Sequence, residues 1–242
     1  MSITVYELCT TLERRRCFSP FAWRGVLAVA HKEFALERVP VNFFEKEQIA
    51  FSGQLLVPII VDHGNGDKVV TDSYKIAEYL EATYPQRPSL FGGSKELSYF
   101  VVQWVNTIIH PFISKFCSDD ARLHQSLEGQ AYYYSEERSK LYGRKMQKSQ
   151  VEDREALLPE FRAALQPARA VLRDQKFLGG DRPNYADICL FSSFLWSRAI
   201  SSFYPNLLLP HDSVFAWRER MMDAYGGLAR KSPGYDQVAP TL

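Results

Sequence analysis

The spacing of apolar residues divides the chain into two textures. Residues 3–8 (Ile3-Thr4-Val5-Tyr6-Glu7-Leu8) predict a β-strand, and residues 9–18 are polar and basic, hence a loop. Ser19-Pro20 marks a helix start, with serine at the N-cap and proline in the first turn, and Trp23, Val26, Leu27 and Ala30 follow at helical spacing. Residues 38–43 suit a strand that Pro40 confines to an edge or a strand start. Residues 44–55 are irregular, with Ser52-Gly53 marking a turn. Ile59-Ile60-Val61 and Lys68-Val69-Val70 flank a polar link whose Asn65-Gly66 predicts a tight hairpin turn. Ser73 to Tyr84 is helical, with Ile76, Ala77 and Leu80 on one face and Pro85 and Pro88 as stops. The order is βαβ followed by ββα.

Beyond Pro88 only helical periodicity remains. Residues 95–117 predict one long apolar helix kinked at Pro111. Residues 120–148, rich in Tyr, Glu, Arg and Lys, predict one helix or two, and residues 153–174 another, bent or starting late at Pro167. Asn184-Tyr185-Ala186-Asp187 is a capping-box pattern opening a buried helix through Leu195, and a last helix covers 212–224. The fold class is an α/β N-terminal part followed by an all-α part, divided near 86–93, which gives domains over 1–86 and 94–242.

Composition narrows the function classes. The 242 residues, 46% hydrophobic and 14% aromatic, can bury a substantial core. A net charge of +1 from 29 basic and 28 acidic residues points neither to nucleic acid nor to a charged membrane surface. The run Arg14-Arg15-Arg16 reads as a solvated loop. Cys9, Cys17, Cys117 and Cys189 are scattered without metal-ligand spacing, and no histidine cluster is present, so no metal is expected and a reducing, cytoplasmic setting is. The first residues read as a strand rather than a signal peptide, and no apolar run is long enough for a membrane span.

Three motifs carry chemistry, each with a plain structural reading beside it. Val57-Pro58 is either an ordinary strand-initiating proline or a cis bond that turns the Val57 backbone outward toward a peptide ligand. At Asp72-Ser73, Ser73 caps a helix; the free N–H groups there suit a carboxylate and Asp72 an ammonium, so the pair is either a simple cap or a clamp for an amino-acid head group. Ser19 is either a plain N-cap or a hydroxyl that donates to a thiolate stabilised by the helix dipole. Cys17, two residues upstream, is a second candidate sulfur ligand or a half-buried thiol.

Phe18-Ser19-Pro20-Phe21, Val57-Pro58 and Asp72-Ser73, in this order and with the helical second half, resemble the active-site set of cytosolic glutathione transferases. Ser19-Pro20-Phe21-Ala22-Trp23-Arg24 is most similar to a serine-type, etherase-like group of fungi and bacteria; related omega-type enzymes carry cysteine where Ser19 stands. The resemblance implies a thioredoxin-like N-terminal domain with glutathione as the bound cofactor. Ser19 would bond the glutathione sulfur, Val57 would pair with the cysteinyl backbone beside Pro58, and Asp72 and Ser73 would hold the γ-glutamyl end. Lys46 or Gln54 would reach the glycine carboxylate. The acceptor pocket would lie between the domains, with Phe21, Trp23, Tyr99, Trp104 and Phe112 as candidate walls.

The implied activity is attack of the glutathione thiolate on a hydrophobic electrophile, by conjugation or ether cleavage. Two alternatives stand beside it: a glutathione-dependent cis-trans isomerase of an activated alkene, and a non-catalytic binder of hydrophobic ligands or scaffold. The resemblance also implies a homodimer, and the tyrosine-rich residues 129–148 could supply an interface or an extended lid.

Overall fold

The computed structural model describes residues 1–13, 16–143, 145, 148 and 153–236. Arg14 and Arg15 of the basic run, the end of the tyrosine-rich stretch beyond 143 apart from 145 and 148, and the tail 237–242 lie outside the described residues.

Strand β1 (Ser2–Leu8) leads into α1 (Pro20–His31) and β2 (Ala35–Val41). β3 (Ile59–Asp62), β4 (Lys68–Thr71) and α2 (Ser73–Thr83) complete the first half. The sheet order is β2-β1-β3-β4, with β1 and β2 parallel and the other neighbours antiparallel. This is the thioredoxin-like βαβ–ββα arrangement. β2 starts earlier than its local pattern suggests, because β1 pairs along its whole length and recruits Ala35-Leu36-Glu37. Pro40 falls on this edge strand, where its missing N–H breaks no central ladder.

The hairpin link is longer than a two-residue turn. His63–Asn65 form a single 3-10 turn, followed by Gly66 and Asp67 at φ 64° and 55°. Asp62 causes this: fully buried, it accepts the Gly64 N–H and the hydroxyls of Tyr79 and Tyr84, and so ends β3 one residue before the turn.

The second half is helical. α3 (Lys95–Trp104), a π-helical turn (Val105–Ile109) and α4 (His110–Cys117) form one rod. The distortion expected at Pro111 sits a turn earlier, where the His110 N–H reaches back to the Val105 carbonyl. Pro111 has no N–H and its ring crowds the carbonyl four residues back, so the helix widens ahead of it. Residues 120–141 form three short helices, α5 (Asp120–Leu123), α6 (Leu127–Tyr133) and α7 (Glu136–Leu141). Ser126 and Ser135 split them, their hydroxyls accepting the N–H groups of Gly129 and Arg138. α8 (Leu158–Ala164) and α9 (Gln166–Leu172) break at Leu165, just ahead of Pro167.

The capping box opens α10 (Tyr185–Ile200), every residue of which is buried. α11 (Ser213–Gly227) is regular up to the break at Ala224–Gly226, with Tyr225 at φ 53°. One core runs from the sheet through Val26 and Leu27 of α1 into Leu190, Phe191 and Phe194 of α10. A smaller cluster of Val41, Ile49 and Ile59 covers the opposite face of the sheet. Among the described residues no helix is long and apolar enough to cross a membrane, and no group of three or more His, Cys, Asp or Glu side chains could hold a metal.

The Asp187 carboxylate, fully buried, accepts N–H bonds from Leu178, Gly179 and Asn184 and from the Trp217 indole at 2.7–3.0 Å. Asp187→Ala strands those donors together. The variant is expected to lose about 3–5 kcal/mol in urea unfolding, against about 1 kcal/mol for a half-buried N-cap such as Ser94→Ala.

Candidate functional site: a cleft at the start of two helices

Two helices begin at the same edge of the sheet. Ser19 caps α1, its Oγ accepting the Ala22 N–H at 3.2 Å. That bond uses a lone pair and leaves the hydroxyl proton to donate. The side chain is 9% exposed, at a helix end where the dipole favours an anion.

Asp72 caps α2, a correction to the expectation that Ser73 does. Its Oδ1 accepts the N–H groups of Tyr74 and Lys75 at 2.9 and 3.0 Å. The carboxylate reaches two amides where a serine hydroxyl reaches one, and φ 69° turns Asp72 into the open. A non-glycine residue held in this region is strained, and such strain concentrates at ligand-binding positions. Ser73 becomes the first helical residue, buried, its carbonyl accepting the Tyr185 hydroxyl at 2.7 Å.

Between these starts runs the segment before β3, with a cis bond at Val57-Pro58. Among the described residues no hydrogen bond uses the Val57 N–H or C=O. Pro58 lies against α1 at Gly25, where a Cβ would stand 3.2 Å from the Pro58 Cβ. Glycine there permits the close approach of helix and strand.

These residues meet in one cleft of about 330 Å³, lined by Ser19, Phe21, Lys46, Gln54, Val57, Pro58, Asp72 and Ser73. Lys46 is engaged at its rim. Its Nζ bonds Glu137 at 2.6 Å, and that bond raises the lysine's pKa. Phe21, 38% exposed, stands over the Arg24 guanidinium at 4.7 Å and beside His110 at 5.4 Å.

The other sequence candidates lie elsewhere. Cys17 faces away from the cleft toward Glu7 and Arg38, and burial and then Glu7 push its thiol far above the ordinary range. Trp23 is core: its indole N–H donates to the Cys17 carbonyl and Arg38 packs on its ring at 4.6 Å. Trp104 and Phe112 pack against the helical core, Phe112 on Phe161. Tyr99 lines a neighbouring cleft that shares Phe21, Asp72 and Ser73 with the first. Phe112 follows the π turn, which adds a residue and rotates the remainder of the rod by about 100°, so regular helical spacing over 95–117 does not give the direction it faces.

Sequence reasoning offered residues 129–148 as an interface or an extended lid but singled out none of the far wall's residues. Tyr132, Leu141 and Tyr142 close the cleft from the short helices. The signal was the tyrosine-rich composition of that stretch, which says that a surface is present but not what it faces. It is anchored by several contacts: Thr11 receives the Ser126 N–H on its hydroxyl and gives its own N–H to Gln125, Lys46 pairs with Glu137, Tyr132 and Tyr133 pack on Phe43 at 5.4 and 6.2 Å, and the Tyr133 hydroxyl donates to the Ser118 carbonyl.

The fold is that of the glutathione transferases. Residues 15–88 match the family's "Glutathione S-transferase, N-terminal domain" model and residues 97–203 its "Glutathione S-transferase, C-terminal domain" model, so the chain belongs to the glutathione S-transferase family. It is similar to a glutathione transferase of Phanerochaete chrysosporium, with a TM-score of 0.75 and 22% identity over 99% of each chain. A glutathione S-transferase of Ceriporiopsis subvermispora, solved in complex with glutathione, gives a TM-score of 0.76 and 17% identity over 100% of each chain. A zeta-class glutathione S-transferase of Euphorbia esula is 33% identical over 102 residues, 38% of this chain and 43% of that relative's length.

Buried and shielded from ionisation, Cys17 is expected to react with iodoacetamide at neutral pH at least about 100-fold more slowly than free cysteine, and at the free rate once the chain is unfolded in urea. Fast labelling of native protein, mapped to Cys17 by peptide mass, contradicts the placement.

Proposed function

We propose that the chain binds glutathione in the Ser19 cleft, stabilises its thiolate and directs it at a hydrophobic electrophile. The observation that carries this reading is convergence. A donor hydroxyl at one helix start, the Val57 backbone, unpaired among the described residues, and the Asp72–Ser73 helix start line one cavity of peptide size. An extended tripeptide thiol fills such a cavity with its sulfur at Ser19, its backbone on Val57 and its γ-glutamyl end at Asp72 and Ser73. The Lys46–Glu137 pair would open or rearrange for Lys46 to meet the glycyl carboxylate, with Gln54 beside it. The solved relative from Ceriporiopsis subvermispora that holds glutathione supports the reading.

In this account residues 1–86 hold glutathione and residues 94–242 build the acceptor side, with Phe21 at the junction. Ser19-Pro20-Phe21-Ala22-Trp23-Arg24 supports placement in the serine-type, etherase-like group. The cytoplasm supplies the reduced glutathione that the activity needs. Catalysis rests on positioning and electrostatics: a thiol pKa lowered by ~2 units favours thiolate by about 2.7 kcal/mol. Conjugation, ether cleavage and isomerisation share this thiolate. The mass balance of glutathione separates them, since conjugation consumes one equivalent per turnover and isomerisation none.

Titrating the bound thiol by ultraviolet absorbance between about pH 5 and 9 tests the core of the proposal. Wild type is expected to show thiolate below the free-thiol pKa of ~8.5, and Ser19→Ala to move that midpoint up by about one unit. Turnover should drop by at least about tenfold while glutathione affinity changes by less than about threefold. Saturable binding without thiolate would leave a carrier, and no binding would end the reading.

We also propose a homodimer. On the α3–α4 rod, Leu97, Phe100 and Ile108 are 71%, 73% and 44% exposed and fall on one side, an apolar strip suited to a second copy of the chain. Light scattering is expected to give twice the chain mass for wild type and a single chain mass for Phe100→Glu.

A further inference from the structure

We propose that the cleft between α8, α9 and the start of α11 binds a small organic phosphate. Arg162 and Arg169 stand seven residues apart and Arg173 four further on, so α8 and α9 bring three guanidiniums to one cleft of about 520 Å³, which His211 lines with them. Asp212 is the one carboxylate lining it among the described residues, and it is fully engaged. Its oxygens accept Arg169 Nε and Nη2 at 2.8–3.2 Å, and its Oδ1 also accepts the Val214 N–H. The other two cations are left over. Arg162, half-buried, donates from Nε to the Leu207 carbonyl at 3.1 Å and from Nη2 to the Asn206 carbonyl at 2.6 Å, while its Nη1 has no hydrogen-bond partner among the described residues. Arg173, exposed, makes no ion pair or side-chain hydrogen bond among them.

The charge in excess selects the ligand. Two guanidiniums beyond the Arg169–Asp212 pair match a phosphate monoester, which carries about −1.5 to −2 at pH 7 and three strong acceptor oxygens. Planar donor forks meet such oxygens in pairs, whereas a ligand with a single negative charge leaves one guanidinium unmatched. Arg162 is held in place by backbone carbonyls, so it loses little side-chain freedom when a ligand arrives. The organic part has a place as well. Ala163 and Leu209 line the cleft, and Leu209 is 38% exposed, an apolar surface beside the charges. The volume is enough for a phosphate with a bicyclic ring attached. A ligand seated there joins α8 and α9 to α11, as the Arg169–Asp212 pair already does for α9. Among the described residues this cleft and the Ser19 cavity share no lining residue, so the inference stands apart from glutathione binding.

The probes are 1-naphthyl phosphate, 1-naphthalenesulfonate and inorganic phosphate, each titrated by calorimetry at about 0.15 M ionic strength, where loosely held surface charges are screened. Wild type is expected to bind one naphthyl phosphate per chain, at least about tenfold more tightly than either the sulfonate or inorganic phosphate. Arg173→Ala, at an exposed position that should not threaten folding, is expected to weaken that binding at least about tenfold, and Arg162→Met to do the same. Lys68→Ala removes a charge of the same sign from an exposed position on β4 and is expected to change it by less than about twofold. No saturable binding, a sulfonate or inorganic phosphate bound as tightly as the ester, an affinity unchanged in Arg173→Ala, or an equal loss in Lys68→Ala overturns the proposal. Where Arg162→Met does not fold, Arg173→Ala decides. Glutathione titrated against wild type and Arg173→Ala is expected to give one affinity for both and reports on the Ser19 cavity alone, so the two readings fail independently.

Discussion

The Asp187 carboxylate is the constraint on which both halves depend. Its bonds to Leu178, Gly179 and Asn184 hold the turn before α10, and its bond to the Trp217 indole fixes α11 against the same point. Burial raises the carboxyl's pKa, while the donors oppose that rise by stabilising the ion. A helix buried on every side has no amphipathic pattern to set its rotation. Its depth and rotation come from its first turn, and α10 is such a helix.

That first turn also reaches the cleft. Tyr185 comes directly after the N-cap, its N–H donating to the Leu90 carbonyl and its hydroxyl to the Ser73 carbonyl. The start of α10 thereby braces the start of α2, and Asp72 keeps its strained backbone because Ser73 is held from behind. On the other side α10 packs on α1, whose N-terminus carries Ser19, and Gly25 lets α1 close on Pro58. The three features of the cleft are placed by one buried helix that touches none of the cleft's contents.

Much of this was legible in the residues. The strands, α1, α2 and α10, with the break between the halves, came from periodicity and from Ser19-Pro20, Asp72-Ser73 and the Asn184–Asp187 box, where one local interaction decides the outcome. What was not legible depended on distant partners. β2 was lengthened by register with β1, and the hairpin by the burial of Asp62 under Tyr79 and Tyr84. Trp23 has the composition of a pocket residue, and only the Cys17 carbonyl and Arg38 decide that it is core. Ser73 and Asp72 are both good caps in sequence, and the positive φ at Asp72 chose between them.

The helical half meets the cleft through contacts of a different type from those of the sheet. On the floor, backbone groups and helix starts are fixed by the sheet and by α10. At the far wall, Tyr132 and Leu141 come from helices of seven residues or fewer and Tyr142 follows the second, held by a partly exposed ion pair, by hydrogen bonds at Thr11 and by the packing of Tyr132 and Tyr133 on Phe43. Short helices draw little stability from their own hydrogen bonds, and exposed ion pairs add little more. A floor of backbone groups and a wall of aromatic side chains on short helices are two different constructions around one cleft. Phe21 sits on the seam, a wall of both clefts and the cover over Arg24, so any ligand that moves its ring is felt on both sides.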